Sequence, residues 1–263
     1  MQSESASNVS SQAEPPRPHI DEKRAYLPGC RQEEFIVPLL RNRIEECLEN
    51  YGKPASNESK MLDVGCGRHP FRERIQSLGY TYHSCDVNQN SDGTVEFLFA
   101  IDSPMPPELA AAGPFDLLLC TEVLEHVADW DVAFGNMANL LSDAGALIIT
   151  APHFYQLHEA PYDFWRPTPH AIEFYSRRHG LKIVHSEAAG DAWDVLGTVL
   201  ANCWPVAISR GLLDRAVARL ARTVQRALFS LLVKRRIQAR LGMGGPLYIS
   251  NIAVCRKAAA SER

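Results

Sequence analysis

The sequence predicts an α/β protein with a doubly wound, mostly parallel sheet. Short apolar runs alternate with segments of helical periodicity, and several of the runs end in a glycine or an acidic residue. The run at 115–120 is almost wholly apolar, which is typical of a parallel strand that is covered on both faces. The length of 263 residues suits one large domain with additions. Right-handed crossovers then place a ligand beyond the carboxyl ends of the strands.

The elements follow in order from local signals. Apolar residues at helical spacing predict a first helix at 32–51, and the glycines at 65 and 67 end a first buried strand. The other predicted strands are short apolar runs bounded by turn residues. The predicted strands are 61–64, 80–85, 95–99, 115–120, 146–150, 181–185 and 248–255. The further predicted helices are 71–78, 129–141 and 169–179, with a turn at 143–145. Residues that follow a strand are expected near the ligand, and those that precede one far from it.

The composition divides the chain into three parts. Residues 1–25 are rich in Ser, Pro and charge and are predicted to form a disordered tail. Residues 26–189 with 246–258 form the predicted ligand-binding domain, and 190–245 form a helical insertion. The N-terminus lacks the apolar core of a secretory signal, and no apolar run is long enough to span a bilayer. The seven cysteines are scattered, which favours reduced thiols and a cytoplasmic location.

The turn after the first strand is the most informative motif. It reads Asp63-Val64-Gly65-Cys66-Gly67, a bare backbone cradle against which a nucleotide-like ligand can lie. A nicotinamide enzyme would need a third glycine at position 70, which is Pro70. Asp63 suits a ligand that carries an ammonium group. The loop resembles motif I of the class I S-adenosylmethionine (SAM)-dependent methyltransferases, although His69 stands at its third glycine.

Two further acids follow strands. Asp86 ends the second strand about 20 residues after the glycine loop, where a carboxylate reaches the hydroxyls of a ribose. In the family that the loop resembles, an acid near the end of strand three holds the adenine amino group. That position falls on Phe99 here, so that either Asp102 substitutes or Phe99 stacks on the adenine.

The end of strand four carries the clearest resemblance. The string Phe115-Asp116…Cys120-Thr121-Glu122-Val123-Leu124-Glu125-His126-Val127 is similar to a signature of the methyltransferase type 11 group. That resemblance implies SAM as cofactor and a Rossmann-like seven-stranded sheet with an antiparallel last strand. It implies that Cys120 and Glu122 lie beside the methionine part of SAM. Glu125 and His126 are interpreted as local capping residues.

The segment 152–168 is aromatic and polar and follows strand five. Its pattern H-x-x-P-x-D-x-x-R-x-T is similar to one in type 11 methyltransferases linked to glycan or cell-surface assembly. His158 is the expected general base for a hydroxyl acceptor, because histidine titrates near neutral pH. Asp163 would orient it, and Arg166 would pair with Asp163 or hold an anionic substrate. The alternatives are a structural Asp163–Arg166 pair and a zinc site with His153, which the absence of thiolates disfavours.

The insertion contains a basic amphipathic segment at 205–242. Leu213, Val217, Leu220, Val224, Leu228 and Leu231 form one helical stripe, and Arg215, Arg219, Arg222 and Arg226 form the opposite face. The segment is interpreted either as a cap helix on the domain or as a helix on an anionic membrane surface. Nucleic acid is disfavoured, because no aromatic-basic interleaving occurs elsewhere.

These observations predict a SAM-dependent methyltransferase. The expected reaction is O-methylation of a small-molecule, glycan or lipid-linked acceptor, and the expected location is cytoplasmic and peripheral on the inner face of the membrane. The alternative is a membrane-associated scaffold that binds SAM without turnover. Residues at 63, 65–67, 86, 99, 102, 120 and 122 are the predicted cofactor site.

Overall fold

The computed structural model describes residues 25–234, 237, 240 and 243–259. The predicted tail therefore lies outside the described residues, except for Ala25. The described chain forms an α/β structure that is built around a single twisted sheet.

The sheet has seven strands in the spatial order β3-β2-β1-β4-β5-β7-β6. Strands β1 to β5 pair in parallel, and β7 is antiparallel to both of its neighbours. The predicted doubly wound sheet with an antiparallel last strand is thus confirmed. The strands are β1 Lys60–Val64, β2 Thr81–Asp86, β3 Phe97–Leu98, β4 Phe115–Thr121, β5 Leu141–Pro152, β6 Leu181–Ala189 and β7 Ser250–Lys257.

Helices cover both faces of this sheet. Side chains of β4 alternate between two apolar layers, with Leu117 and Leu119 in one and Leu118 and Cys120 in the other. This alternation explains the continuous apolar run, because both faces of β4 are buried. The helices are α1 Ile36–Tyr51, α2 Arg72–Ser77, α3 Pro107–Ala112, α4 Trp130–Leu140, α5 Pro169–Arg178, α6 Ala192–Asn202 and α7 Leu212–Leu232, and short 3-10 turns lie at Arg31–Glu33 and Leu124–His126.

Three local predictions were wrong. Strand β3 has only two residues, and helix α3 was not predicted although Pro107 and Gly113 bound it. The predicted turn at 143–145 lies within β5, which begins directly after α4. A Cβ at Gly145 would lie 3.0 Å from the Phe115 carbonyl oxygen. Glycine at this position allows β5 to approach β4 closely where the register between the two strands shifts. The sequence pattern does not distinguish this role from that of a turn glycine.

The insertion leaves the sheet at the carboxyl end of β6 and returns at the start of β7. Helix α6 begins with a capping box, in which the Asp191 carboxylate accepts hydrogen bonds from the backbone of Trp193 and Asp194. Helix α7 packs against α6 through Ala218, Phe229 and Leu232. The cap interpretation is therefore only partly right, since the predicted apolar stripe faces outward.

Candidate active site

A cavity of about 310 Å³ opens at the carboxyl ends of β1, β2 and β4. This is the edge at which ligands bind in doubly wound sheets. The start of α1 also lines it, through Ile36, Val37 and Leu40. The rule that residues preceding a strand lie far from the ligand is thus wrong for α1, because this helix begins at the ligand edge of the sheet.

The glycine loop forms the floor of the cavity. Gly65 and Gly67 have φ values of 66° and 48°, which only glycine adopts without strain. The backbone N–H groups of Gly65 and Cys66 donate to the Cys85 carbonyl oxygen, which ties the loop to β2. A Cβ at Gly65 would lie 2.3 Å from Val123 Cγ2, so that no side chain fits there. His69, which stands in place of a third glycine, has φ 57°.

Asp86 stands at the end of β2 and lines the cavity. Its Oδ2 accepts a hydrogen bond from the Gly67 N–H at 3.0 Å, and its Oδ1 accepts one from the Asn88 N–H at 3.3 Å. A carboxylate has about four acceptor positions, so that lone pairs remain available for ligand hydroxyls. Asp86 thus lies at the position that the sequence predicts for a ribose-binding acid.

Asp63 lies behind the loop and does not line the cavity. The Tyr82 hydroxyl donates to its Oδ2 at 2.5 Å. Burial raises the pKa of Asp63 to about 7, although the bond from Tyr82 opposes this shift. The structure therefore places Asp63 beside the cavity wall and not on it, and its contact with an ammonium group stays a prediction.

Phe99, Asp102 and Cys120 occupy different environments. Phe99 lines the cavity and is almost fully buried, which leaves an apolar ring for a flat ligand group. Asp102 is not among the lining residues, and its Oδ2 accepts hydrogen bonds from the Ala128 and Asp129 backbones at 3.1 and 3.4 Å. Cys120 is fully buried in the apolar core and also does not line the cavity. Of the two adenine-binding alternatives, the geometry favours stacking on Phe99.

Glu122 follows β4 and lines the cavity with a backbone φ of 53°. Such a conformation is uncommon outside glycine and clusters at functional sites. Its Oε1 accepts hydrogen bonds from the hydroxyls of Thr150 at 2.9 Å and Ser250 at 3.4 Å. Burial raises the pKa of Glu122 to about 7, and the bonds from the two hydroxyls oppose this rise.

Glu125 and His126 belong to the cavity wall, so that their position is not confined to the local role that the sequence pattern favours. The Glu125 side chain is buried, and its Oε2 has no hydrogen-bond partner among the described residues. Burial raises the pKa of Glu125 well above its usual value, and nearby Glu122 adds to the shift. His126 Nδ1 lies 2.7 Å from the Tyr162 carbonyl oxygen, and its Nε2 lies 3.2 Å from Glu159 Oε2.

The positions of the protons in this cluster follow from the hydrogen-bond partners of His126. A carbonyl oxygen only accepts, so His126 Nδ1 carries the hydrogen and Nε2 has a lone pair. Burial lowers the pKa of His126 to about 4 and raises that of Glu159 to about 7. Near neutral pH the Nε2–Oε2 contact is therefore between neutral imidazole and a carboxyl group that is close to half protonated. Sequence reasoning missed Glu159, which has φ 54° and adjoins the predicted base.

His158, Asp163 and Arg166 lie together in the 152–168 loop. Asp163 Oδ2 accepts the His158 backbone N–H at 2.9 Å and lies 3.3 Å from His158 Nδ1. Arg166 donates to both Asp163 oxygens, at 2.6 and 2.8 Å. Burial alone would raise the pKa of Asp163, but the hydrogen bonds from Arg166 and His158 outweigh it and lower the pKa. Only His158 of the three lines the cavity.

Among the described residues, one set of side chains could hold a metal ion. Ligand atoms of Glu125, His126 and His158 all lie within 4.8 Å of one another. Neutral imidazole nitrogens and a carboxylate are ligands that zinc and related divalent ions accept. The set differs from the alternative that included His153, whose ring stacks on Tyr248 and has Nδ1 2.9 Å from the Pro167 carbonyl oxygen.

The sheet order, the glycine cradle and the acid at the end of β2 define a class I SAM-dependent methyltransferase. A family model described as a methyltransferase domain matches residues 34–186. The chain belongs to that family.

Relatives with curated names are similar over shorter stretches. The human mitochondrial ubiquinone biosynthesis O-methyltransferase is 27% identical over 154 residues, covering 53% of this chain and 42% of the relative. The ubiquinone biosynthesis O-methyltransferase of Caulobacter sp. (strain K31) is 32% identical over 99 residues, covering 34% of this chain and 39% of the relative. The chain thus matches about two fifths of the length of these relatives.

Solved structures share the fold. The [4+2]-cyclase SpnF has a TM-score of 0.52 at 15% identity, covering 88% of this chain and 98% of the other. A sarcosine dimethylglycine methyltransferase from Galdieria sulphuraria, named as putative, has a TM-score of 0.51 at 14% identity, covering 90% and 94%. At these identities the likeness shows the fold alone.

SAM is the cofactor of this class, and the described residues fit it. SAM has three parts that these residues suit. The glycine cradle offers bare backbone to the ligand, the Asp86 carboxylate suits the ribose hydroxyls, and the Phe99 ring suits the adenine. When bound, SAM supplies an electrophilic methyl group on a sulfonium centre. Glu122 and Glu125 also line the cavity, together with His158 of the 152–168 segment.

Proposed function

We propose that the protein transfers the methyl group of SAM to an oxygen atom, on a small-molecule, glycan or lipid-linked acceptor. The observation that carries this proposal is a neutral imidazole, His158, at the cavity wall with one nitrogen oriented by its neighbours. A hydroxyl acceptor needs a base to remove its proton as the new bond forms, whereas a neutral amine has its own lone pair.

The tautomer of His158 favours the role of base. Its Nδ1 lies 3.3 Å from both the Gln156 carbonyl oxygen and Asp163 Oδ2, which accept, and 3.5 Å from an Arg166 nitrogen, which donates. The two nearer acceptors favour a hydrogen on Nδ1. The lone pair is therefore on Nε2, which is available to a hydroxyl proton. Burial lowers the pKa of His158 below its ordinary value, although the Asp163 carboxylate raises it. The lowered pKa favours the neutral imidazole, which is the form that accepts a proton.

Asp163 and Arg166 act as positioning residues in this proposal. The Asp163 carboxylate contacts both the backbone N–H and the ring of His158. Arg166 in turn fixes Asp163 through a bidentate pair of hydrogen bonds. The ion pair of Asp163 with Arg166 is also the arrangement expected of a purely structural pair, and the proposal takes Asp163 as the orienting acid. Alignment of base and acceptor is a large part of the catalysis of such a displacement.

The proposed cofactor residues that line the cavity are Gly65, Cys66, Gly67, Asp86, Phe99 and Glu122. Asp63, Asp102 and Cys120 are proposed to support that surface from behind it. The curated relatives, both named as O-methyltransferases, support oxygen as the acceptor atom. We further propose a cytoplasmic location with peripheral attachment to the inner face of a membrane, where a lipid-linked acceptor would be found.

The test compares two histidine variants. His158→Gln should lower the rate of methyl transfer by about 10²–10⁴-fold, because it removes the base. His153→Gln, in the same loop but outside the cavity lining, should have little effect. The assay incubates labelled SAM with cell extract and identifies the labelled fraction, and hydrogen iodide cleavage then identifies O-methyl groups. Label on nitrogen or carbon, or SAM binding without transfer to any fraction, would contradict the proposal.

A further inference from the structure

Helix α7 exposes an apolar face that the rest of the described chain does not cover. The stripe defined by Leu213, Val217, Leu220, Val224, Leu228 and Leu231 runs along the whole helix. Leu213 and Leu220 are 75% and 67% exposed, and the other four are between 37% and 59% exposed. Exposed apolar surface of this extent is typical of an interaction site.

The helix is held to the domain by a different, narrower face. Ala218, Phe229 and Leu232 are buried there, and the Phe229 ring contacts Phe35 with a centroid distance of 5.8 Å. The Gln225 amide donates to the Leu200 carbonyl oxygen at 2.7 Å. These contacts fix the rotation of α7 about its axis. The outward direction of the stripe is therefore a consequence of the packing.

We propose that the stripe of α7 inserts into the surface of an anionic phospholipid bilayer. An in-plane helix with one apolar face and a basic opposite face binds membranes by burial of apolar surface and by attraction to anionic lipid. None of the described helices meets the length and apolarity that are needed to cross a bilayer. In this proposal the stripe attaches the protein to the surface of the bilayer.

Charge distinguishes a membrane from a second copy of the chain. Residues 211–242 contain eight Lys and Arg and one Asp, whereas the whole chain has 27 basic and 31 acidic residues and a net charge of −4. Positive charge is thus concentrated in the segment of the sequence that contains the stripe, whereas the protein as a whole is acidic. Each basic residue near an anionic surface adds to the attraction between the protein and the membrane.

The same spacing of Leu and Val is also typical of helix pairing. Two copies of α7 would, however, bring two strongly basic segments together, and the described helix offers only Asp214 as an acidic partner. Repulsion between like charges disfavours that pairing. At an anionic bilayer the same basic residues are attracted and not repelled. The bilayer is the occupant that the charges favour.

The position of α7 connects this surface to the cavity. The Arg31 guanidinium lies 3.8 Å from the centroid of the Phe229 ring. The same ring packs against Phe35. The neighbouring residues Glu33, Ile36 and Val37 line the cavity. The docked face of α7 is therefore anchored on the segment 31–37, part of which lines the cavity. If the proposed methyl transfer holds, the acceptor class is a hydroxyl compound that is dissolved in or anchored to the membrane.

The experiment measures binding of the full chain to vesicles, without SAM or acceptor. Phosphatidylcholine vesicles with about 30% phosphatidylglycerol should carry the wild-type protein in flotation, and pure phosphatidylcholine vesicles should carry much less. The double variant Leu220→Gln and Val224→Gln should lower the apparent partition coefficient by at least about 10-fold, since two apolar side chains are lost from the bilayer. The matched control is Thr223→Gln with Ser230→Gln, two exposed polar positions on α7 outside the stripe.

Circular dichroism and SAM titration verify that all variants fold and keep the cofactor site. Equal recovery of the wild type and the stripe variant, or no preference for anionic vesicles, would overturn the inference. A wild-type dimer in light scattering that the stripe variant dissociates would also overturn it, because a second copy would then cover the stripe. Vesicle binding without O-methylated product would instead contradict only the proposed function.

Discussion

The two sides of the cavity are built on different physical principles. On the cofactor side, Gly65, Gly67 and Asp86 form a backbone cradle in which the carboxylate is already hydrogen-bonded to N–H groups. On the acceptor side, Glu125, His126, His158 and Glu159 are packed together with few compensating partners, and burial shifts each pKa away from its ordinary value. The first side is suited to holding a constant ligand, and the second to moving protons.

The difference has a structural origin. The cofactor side comes from the ends of two adjacent parallel strands, β1 and β2, and is tied by backbone hydrogen bonds. The acceptor side comes from a 3-10 turn after β4 and from the 152–168 loop, which meet only in the folded protein. We expect substitutions on the first side to change affinity, and those on the second to change rate and pH dependence.

Asp86→Asn should have the largest effect on the cofactor side. Two charge-assisted bonds to ribose hydroxyls contribute about 1.5–3 kcal/mol each, so SAM affinity should fall by about 100-fold or more. Isothermal titration with SAM and S-adenosylhomocysteine measures this change. Asp92→Asn, which removes the surface ion pair with Arg68, is the control. Unchanged SAM affinity in Asp86→Asn would remove Asp86 from the cofactor site.

A pair of glycine variants separates backbone conformation from crowding. Gly65→Ala combines a positive φ with a Cβ at 2.3 Å from Val123, whereas Gly93→Ala has a similar φ of 68° and open space around it. Gly65→Ala should destabilise by about 3 kcal/mol or more and weaken SAM binding, and Gly93→Ala by about 1 kcal/mol. Chemical denaturation and SAM titration measure both. Equal losses in the two variants would mean that the contact with Val123 is unimportant.

Glu159→Gln tests the acceptor side through stability. The pKa of Glu159 is raised to about 7 in the folded protein. A carboxyl group with a raised pKa stabilises the fold fully below its unfolded pKa, and that stability is lost as the pH rises through the folded pKa. The variant should therefore resemble the wild type near pH 4 and be more stable by on the order of 1–3 kcal/mol at pH 8. Chemical denaturation at pH 4 and pH 8 measures the free energy of unfolding of the variant and of the wild type. If the two proteins differ by the same amount at both pH values, the raised pKa is contradicted.

Phe99 and Asp102 provide the smallest and most local comparison. Phe99→Ala should weaken SAM binding by about 10-fold, because an apolar face for the adenine is lost. Asp102→Asn should leave that affinity nearly unchanged and lower the free energy of unfolding by about 1 kcal/mol, since Asp102 holds the backbone before α4. The reverse pattern would return the adenine contact to Asp102.

The sequence alone indicated the proposed cofactor side. The buried strand, the two glycines and the acid at position 86 are local signals, because strand, turn and spacing are contiguous in the chain. It also indicated His158, Asp163 and Arg166 as a group, since they lie within nine residues of one another and the structure joins them by hydrogen bonds.

Only the tertiary structure decided which acids and imidazoles share the acceptor side. Glu125 and His126 are local capping residues in the sequence, and their burial depends on contacts between the 3-10 turn and Phe164 and Trp165 of a distant loop. The orientation of α7 was likewise undetermined, because an amphipathic pattern does not state which face the domain covers. Ala218 and Phe229 dock, and the apolar stripe remains outside. Local pattern predicts a helix or a turn, whereas burial, and with it pKa and exposure, depends on what other segments place around it.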